Sequence, residues 1–542
     1  MENPATHEVI NQPPPLENHN RYLGNRALCE ALAREGAAWA HAELAECGAE
    51  LGRPAWIARG ELANRHPPRL KLFDRFGHRL DEFEFHPAWH ECLAWLKAHG
   101  LAGAAWADPC RGAHVRRAAL FQLFAEVECG SLCPTTMTYG AVPVIAREAA
   151  LADPWLRLLH APAYDARFVP APAKRGALIG MGMTEKQGGS DVRTNTTRAE
   201  PAGDGWYRLT GHKWFLSAVM SDAFLVTAQA PGGLSCLFLP RFTPDGTRNP
   251  IHIQREKDKL GDRANASAEV EFHGALARLV GEEGRGLATV LDMANYTRLD
   301  CANGSAGLMR AALAQAVHHA RHRHAFGQAL IDQPLMRNVL ADLALEVEGH
   351  IALCLYVAAC VDRQDASEEA AVLKRLLTPV AKYWVCKRTP PLVAEAMEAI
   401  GGNGYVEDGP MPRLFRQSPL NSIWEGAGNI MCLDVLRVLA REPRAGAVLV
   451  AELERVRGRV ASFDRTLDAL KAQLGTAADA CDARRLTERL ALAVSAARLL
   501  HDGATPVAEA FCAGRLDAPP GGAFGTLRAA TDFATLLERA GP

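Results

Sequence analysis

The chain has 542 residues, 48% hydrophobic and 23% charged, with 60 basic against 62 acidic side chains and a net charge of −2. That is enough apolar material for several folded domains. It excludes a disordered or globally polycationic protein, so any nucleic-acid or membrane partner has to be met by a local patch. The 14 cysteines are scattered with no CxxC spacing, which predicts reduced thiols in a cytoplasmic protein and neither a disulfide framework nor a zinc site.

From about Tyr22 to Pro170 the pattern is mostly helical: GNRALCEALAREGAAWAHAELAECGAELG and HPAWHECLAWLKAHG repeat apolar residues every three to four positions. The proline-rich start, NQPPPLENHN, does not read as a signal peptide, and no apolar run reaches the roughly 18 residues of a membrane span. From Leu178 to about Glu283 the texture changes to short alternating runs (WYRLTGHKWFLS, AFLVTAQA, LSCLFLPRF, ASAEVEFHG) divided by turn residues. After GEEGRGL come long amphipathic segments, and a further helical stretch runs from about Ala445 to Pro542 with a break at DAPPGGAFG. These periods predict a mainly α chain with a central β domain, divided at 1–180, 181–290, 291–444 and 445–542.

Several stretches are rich in groups that hold ligands. GMGMTEKQGGSDVRTNTTR (Gly180–Arg198) packs four glycines and several hydroxyls into a turn region where backbone can approach a ligand, and it also reads as a long β connection. It carries neither a GxGxxG nor a P-loop ending. GHKWFLS (Gly211–Ser217) puts aromatic residues in a strand, where they usually belong to the core, although a flat hydrophobic cofactor would want the same wall and Ser217 could hydrogen-bond its edge. In RHRHAFGQALIDQ, basic residues end a helix, and Arg323 suits a pyrophosphate. His318 and His322 lie four apart with no acid or cysteine to complete a set, so no metal is expected. EAIGGNGYVED reads as a helix end and loop. In NSIWEGAGNI, apolar neighbours would raise the pKa of Glu425, as a proton acceptor requires, although an acid before a helix also complements the helix dipole.

Taken in order, TEKQGGSD, GHKWFLS, EVEF…GEEGRGL, RHRHAFG…Q, GGNGY and IWEG resemble the acyl-CoA dehydrogenase family from about residue 180 to 445. Over nearly the whole length, including the NQP start and the C-terminal extension, the chain resembles the branch associated with the adaptive response to alkylation damage. The resemblance implies a helical N-terminal domain, a β-barrel-like middle domain and a four-helix bundle, here with a helical extension. It implies FAD between the domains and a homotetramer whose FAD sites are shared across subunits. By match to the family motifs, the FAD contacts fall on Met183, Thr184, Gly189, Ser190, Phe215, Ser217, Arg323, Phe326, Gln333, Gly401, Gly402, Gly404, Trp424 and Asn429. Glu425 falls on the family's catalytic base, which removes the proton α to a thioester carbonyl of an acyl-CoA. Three departures predict weak turnover. Ala427 and Asn429 replace a Thr and a Glu, Trp424 replaces a Tyr, and Asn295-Tyr296-Thr297-Arg298 keeps the Arg but not the Asp of the pair that grips CoA.

The same branch implies non-specific binding of double-stranded DNA through the C-terminal region. From Ala445 onward, twelve basic residues balance twelve acidic ones, so the candidates are local: Arg437, Arg441 and Arg444 just before the extension, and Arg455, Arg457 and Arg459 within it. Arginine forks onto phosphate oxygens, and such binding weakens steeply with salt.

Overall fold

The computed structural model describes residues 6–475, 479–517 and 522–541. Its N-terminal part consists of α1 (Arg26–Arg34), α2 (His41–Leu51), α3 (Pro54–Arg65), a hairpin of β1 (Arg69–Phe73) and β2 (Arg79–Glu84), then α4 (Pro87–Ala98), α5 (Ala104–Ala107), α6 (Ala113–Ala125), α7 (Leu132–Ile145) and α8 (Ala149–His160). Local chemistry sets the helix starts. The Asn25 side chain accepts the Leu28 N–H at the head of α1, and prolines occupy the first turns of α3 and α4, where a missing N–H costs nothing. The hairpin lies inside a stretch whose period predicted helix. Its signal was the alternation of RLKLF, and its turn is fixed by the Asp74 carboxylate, which accepts the N–H groups of Phe76 (2.7 Å) and His78 (2.9 Å).

The middle of the chain forms one seven-stranded sheet from β3 (Ile179–Gly182), β4 (Arg198–Gly203), β5 (Trp206–Ser217), β6 (Ala223–Ala230), β7 (Gly233–Pro240), β8 (Ile251–Glu256) and β9 (Ser267–Val280). The long strands β5 and β9 pair antiparallel. β9 continues to β7 and β7 to β6, while β6 returns to β5 through β3 and β4, so the sheet closes on itself. Closure removes most exposed edges and encloses an apolar interior that includes Leu209, Leu216, Phe224, Val226, Leu237 and Phe272. The outer face packs Ile179, Leu225 and Phe238 against Met137, Trp155 and Met293 of the surrounding helices.

Next come α9 (Gly286–His322), a two-residue hairpin of β10 (His324–Ala325) and β11 (Gln328–Ala329), α10 (Pro334–Arg363), α11 (Glu368–Ile400), α12 (Gly402–Tyr405), α13 (Met411–Gln417) and α14 (Gly428–Arg441). At 37 residues, α9 is about 55 Å long. Helix α11 lies against α9, α10 and α14, and the Ser367 hydroxyl caps it by accepting the Ala370 N–H. By length and composition α10 is apolar enough to cross a membrane, contrary to the expectation from sequence, but its most apolar stretch is entirely buried in the bundle.

The extension is α15 (Ala445–Glu454), α16 (Ala461–Leu474), α17 (Ala483–Leu499), α18 (Pro506–Arg515) and α19 (Phe533–Ala540). It wraps the bundle: α17 rests on α10, α11 and α14, and α19 on α10, α9 and α1. Arg515 pairs with Asp342 (2.5 Å) and Glu346 (3.0 Å), both buried on α10. Arg539 pairs with Glu348 (2.7 Å) and Glu30 (2.6 Å). Arg498, Arg515 and Arg539 thus tie the extension to acids of the body, while Arg455, Arg457, Arg465 and Arg485 pair with acids of the extension itself.

Candidate functional site

Glu425 lies in the loop between α13 and α14 at φ +57°, followed by Gly426 at φ +101°. The left-handed backbone costs a non-glycine residue about 1–2 kcal/mol, so something has to hold it. Two buried cations do. Lys382 of α11 donates to the carbonyls of Trp424 (2.8 Å) and Gly426, and Arg298 of α9 donates through Nε to the carbonyl of Glu425 (3.0 Å). Three consecutive carbonyls thus accept from charged donors, which turns the Glu425 side chain into the protein. Arg298 is anchored in turn by Asp434 (3.1 Å), which also pairs with Arg375 (2.7 Å). The arginine that sequence comparison offered as a CoA contact is therefore buried, and it fastens the loop.

The carboxylate of Glu425 faces a narrow cleft. Phe121, Leu132, Cys133 and Met137 give it apolar walls, and Ser217 at the end of β5 and Trp424 line it too. The Trp424 indole is locked by donating to Asn421 Oδ1 (2.8 Å), whose amide reaches Ser305 (3.1 Å). Burial pushes the Glu425 pKa above its ordinary value, against the opposing pull of the Thr297 hydroxyl and the charges of Arg298 and Lys382. Thr297 Oγ1 is 2.7 Å from Glu425 Oε2 and 3.1 Å from the Ala294 carbonyl. With one proton to give, it donates to the carboxylate when Glu425 is ionised. When Glu425 is protonated, it can accept from the carboxyl and donate to Ala294. Thr297, Lys382 and Asn421 were not among the residues singled out from sequence. Their contacts lie 42 to 128 positions away along the chain, or belong to side chains whose partners no local pattern reveals.

The residues matched to FAD contacts divide into groups. Thr184, Gly189 and Ser190 lie in the loop after β3. A Cβ at Gly189 would meet Thr184 Oγ1 at 2.4 Å, so the loop's own closure requires glycine there. The loop is clasped by Glu185, which is fully buried and accepts from Lys213 Nζ (2.8 Å) and from the N–H groups of Thr196 and Thr197. Met183 is half-buried, and its carbonyl accepts from Asn195 (2.8 Å). Phe215 is 42% exposed beside Ser217, although aromatic residues in strands usually turn inward. Phe326, 98% exposed, sits at φ +53° with Gly327 at +85° in the β10–β11 turn, and Gln333 supports that turn by donating to the Ala325 carbonyl (3.0 Å). Gly401 and Gly402 have open space where a Cβ would stand, whereas one at Gly404 would strike the Met397 carbonyl. Exposed aromatic side chains at Phe215 and Phe326 and open glycine backbone at Gly401 and Gly402 are features that suit a flat, partly apolar group such as FAD. Asn429 is placed apart from the cleft: it is exposed on α14 and accepts from Arg484 of α17 (2.8 Å).

The N-terminal NQP segment binds this surface. Asn11 exchanges two hydrogen bonds with the backbone of His324 (2.8 and 2.9 Å), and its carbonyl accepts from Arg323 (2.6 Å). His318 contacts the Pro14 carbonyl (2.8 Å), and His322 the His318 carbonyl (2.8 Å), so these imidazoles are engaged with backbone. Of the arginines proposed for DNA, Arg437 pairs with Asp434, Arg444 with Glu368, Arg455 with Glu452, and Arg457 with Glu454 and Asp468. Arg459 donates to the carbonyls of Leu500 and His501, and Arg441 is exposed with no acidic partner among the described residues.

Comparison with known proteins finds three family matches along the chain. Residues 11–166 match the adaptive response protein AidB N-terminal domain, 180–275 the acyl-CoA dehydrogenase middle domain and 284–440 the acyl-CoA dehydrogenase C-terminal domain. The chain is 50% identical over 515 residues to AidB of Escherichia coli strain K12, covering 94% of this chain and 95% of that one. The crystal structure of Caenorhabditis elegans ACDH-11 in complex with C11-CoA superposes with a TM-score of 0.87 at 27% identity, covering 94% of each chain. An acyl-CoA dehydrogenase from Bacillus anthracis complexed with FAD has the same fold, with a TM-score of 0.64 at 19% identity over 80% of this chain and 81% of that one.

Proposed function

The chain belongs to the acyl-CoA dehydrogenase family, in its AidB-like branch, and from that premise we propose that it holds FAD beside Ser217 and uses Glu425 to take the α proton of an acyl-CoA thioester. The observation that carries this reading is the desolvated Glu425 carboxylate, fixed by Lys382 and Arg298 at an apolar cleft that Ser217 also lines. When bound, FAD supplies the acceptor for the hydride of the β carbon. The chain's own residues do the rest. Phe121, Leu132 and Met137 exclude water from an acyl chain, Trp424 fixes one wall, and Glu425, held at a raised pKa, accepts the proton and passes through the Thr297-bonded state as it does so. The ACDH-11 complex with C11-CoA supports an acyl-CoA as ligand.

Turnover is proposed to be slow, because Arg298 is spent on the loop. The nearly fully exposed, left-handed Phe326 has no reason to be apolar in an isolated subunit, which supports a homotetramer in which it reaches a neighbour's FAD. An assay of acyl-CoA oxidation with an artificial electron acceptor tests the proposal. Slow, acyl-CoA-dependent reduction that Glu425→Gln abolishes supports it, while equal rates in both proteins sink it. Rates of an ordinary dehydrogenase would favour the alternative, a fully working acyl-CoA dehydrogenase.

A second reading, non-specific binding of duplex DNA within an alkylation response, rests on the AidB likeness and on the un-neutralised Arg441 and Arg459. Binding that does not weaken between low and moderate salt would contradict it.

A further inference from the structure

A second, larger cavity of ≈ 290 Å³ lies where the N-terminal helices, the end of α10 and the extension meet. Six arginines line it: Arg34 from the end of α1, Arg111 from the turn before α6, Arg363 from the end of α10, Arg455 and Arg459 from the turn after α15, and Arg498 from α17. Three carboxylates line it too, and each is already committed. Glu35 pairs with Arg34 (3.2 Å) and Arg498 (2.8 Å). Glu452 pairs with Arg498 (3.2 Å) and Arg455 (2.8 Å). Asp362 accepts the N–H groups of His114 (2.8 Å) and Val115 (3.2 Å), which closes the first turn of α6.

Six guanidinium groups against three carboxylates leave three positive charges in a concave space. They can be assigned. Arg111 makes no side-chain hydrogen bond or ion pair among the described residues. Arg363 donates to the Ala359 carbonyl (2.9 Å) and Arg459 to the carbonyls of Leu500 and His501, and neither has a carboxylate at ion-pair distance among the described residues. Like charges gathered in a recess repel one another unless an anion offsets them, and guanidinium groups match phosphate oxygens in geometry as well as in charge. The α6 N-terminus is already capped by Asp362, so the arginine side chains would hold the anion. A cavity of this size suits a compact small molecule. Its floor lies out of reach of duplex DNA, which presents phosphates on a convex surface: the side chains of Arg34 and Arg498 are only 7% and 9% exposed, whereas Arg111, Arg363 and Arg459 are exposed.

We propose that this arginine-lined cavity is a binding site for a free ligand carrying two or more adjacent phosphate groups, such as inorganic pyrophosphate or the polyphosphate end of a nucleotide. Because its walls come from three parts of the fold, the ligand pins the extension to the body. The probe is inorganic pyrophosphate added to the FAD-loaded, full-length protein, read by titration calorimetry and by thermal unfolding against sodium chloride and sulfate at matched ionic strength. One site per subunit is expected, with a rise in unfolding temperature that the other salts do not give. Arg111→Gln/Arg363→Gln is expected to weaken binding by at least about tenfold while leaving the flavin spectrum unchanged, since both residues are exposed and neither touches the cleft of Glu425. Equal stabilisation by sulfate, or unchanged pyrophosphate binding in the double variant, would overturn the proposal. So would displacement of pyrophosphate by a short DNA duplex whose own binding the double variant abolishes, since the cavity would then be a nucleic-acid contact.

Discussion

Glu425→Gln preserves the shape of the loop and removes only the proton acceptor, so flavin content should be unchanged while acyl-CoA turnover falls by roughly 10²–10⁴-fold, the usual range for a general base. The pH dependence is sharper evidence. The reacting form is the carboxylate, and burial holds its pKa above the ordinary 4.5, so kcat/KM should fall as pH drops through a midpoint higher than 4.5. Thr297 donates to the ionised form and thereby lowers that pKa, so Thr297→Val should move the midpoint upward. A pH–rate profile with a midpoint at or below 4.5, or one that Thr297→Val leaves in place, would exclude this account of the base. Lys382 does not line the cleft, yet Lys382→Met would leave the Trp424 and Gly426 carbonyls without their donor. At about 1–3 kcal/mol for each stranded group, calorimetry should show a clear loss of stability, and turnover should fall with it as Glu425 loses its fixed position.

At the scale of elements, the loop after β3 is held by the pair Glu185–Lys213, both side chains fully buried. Glu185→Gln strands the Lys213 charge and should cost roughly 3–5 kcal/mol, visible in chemical denaturation before any effect on flavin chemistry is considered. Lys213 and the neighbouring N–H donors hold the Glu185 carboxyl down at about 2, although burial opposes them. A depressed carboxylate stabilises the fold above its unfolded pKa, near 4.3. That contribution should be complete at neutral pH and drain away as pH falls from about 4.5 toward 2, and its absence from the acid limb of Glu185→Gln would verify the source. These elements also show what the sequence could convey. The glycine-rich loop, the exposed strand aromatic Phe215 and the IWEG stretch were legible because each is a short run of unusual residues in a fixed order. The β1–β2 hairpin was not, because five alternating residues in a helical neighbourhood carry too little period. Nor was the role of Arg298, whose motif position suggested a ligand while its depth, set by α11 and α14 packing over α9, assigns it to the loop. The Asn11–His324 contact spans 313 positions and has no local signature at all.

Across the whole molecule, the extension is part of the core's closure. Ending the chain after Arg444 would bare the faces of α10, α11 and α14 that α17 covers and would leave Asp342 and Glu346 without Arg515. The truncated protein should fail to reach the thermal stability of the full chain and should aggregate on purification, while a soluble, equally stable fragment would show that the body closes without it. The same pairing limits any DNA contact. Of the six candidate arginines only Arg441 and Arg459 lack an acidic partner among the described residues, so Arg441→Gln/Arg459→Gln should lower the slope of log affinity against log salt by about 2. An unchanged slope would place the phosphate contacts elsewhere.

The clasp between the two ends of the chain also has a consequence in time. Arg539 reaches Glu30, Arg26 reaches Glu538, and Arg310 of α9 bridges the carbonyls of Gly24 and Ala540. A nascent chain therefore carries α1 and the acids of α10 for the whole interval in which the last hundred or so residues are made, roughly 5–20 s at ordinary synthesis rates. Helix α1 can be locked in place only once α19 has been made, so the interval between their syntheses is the period open to misassembly.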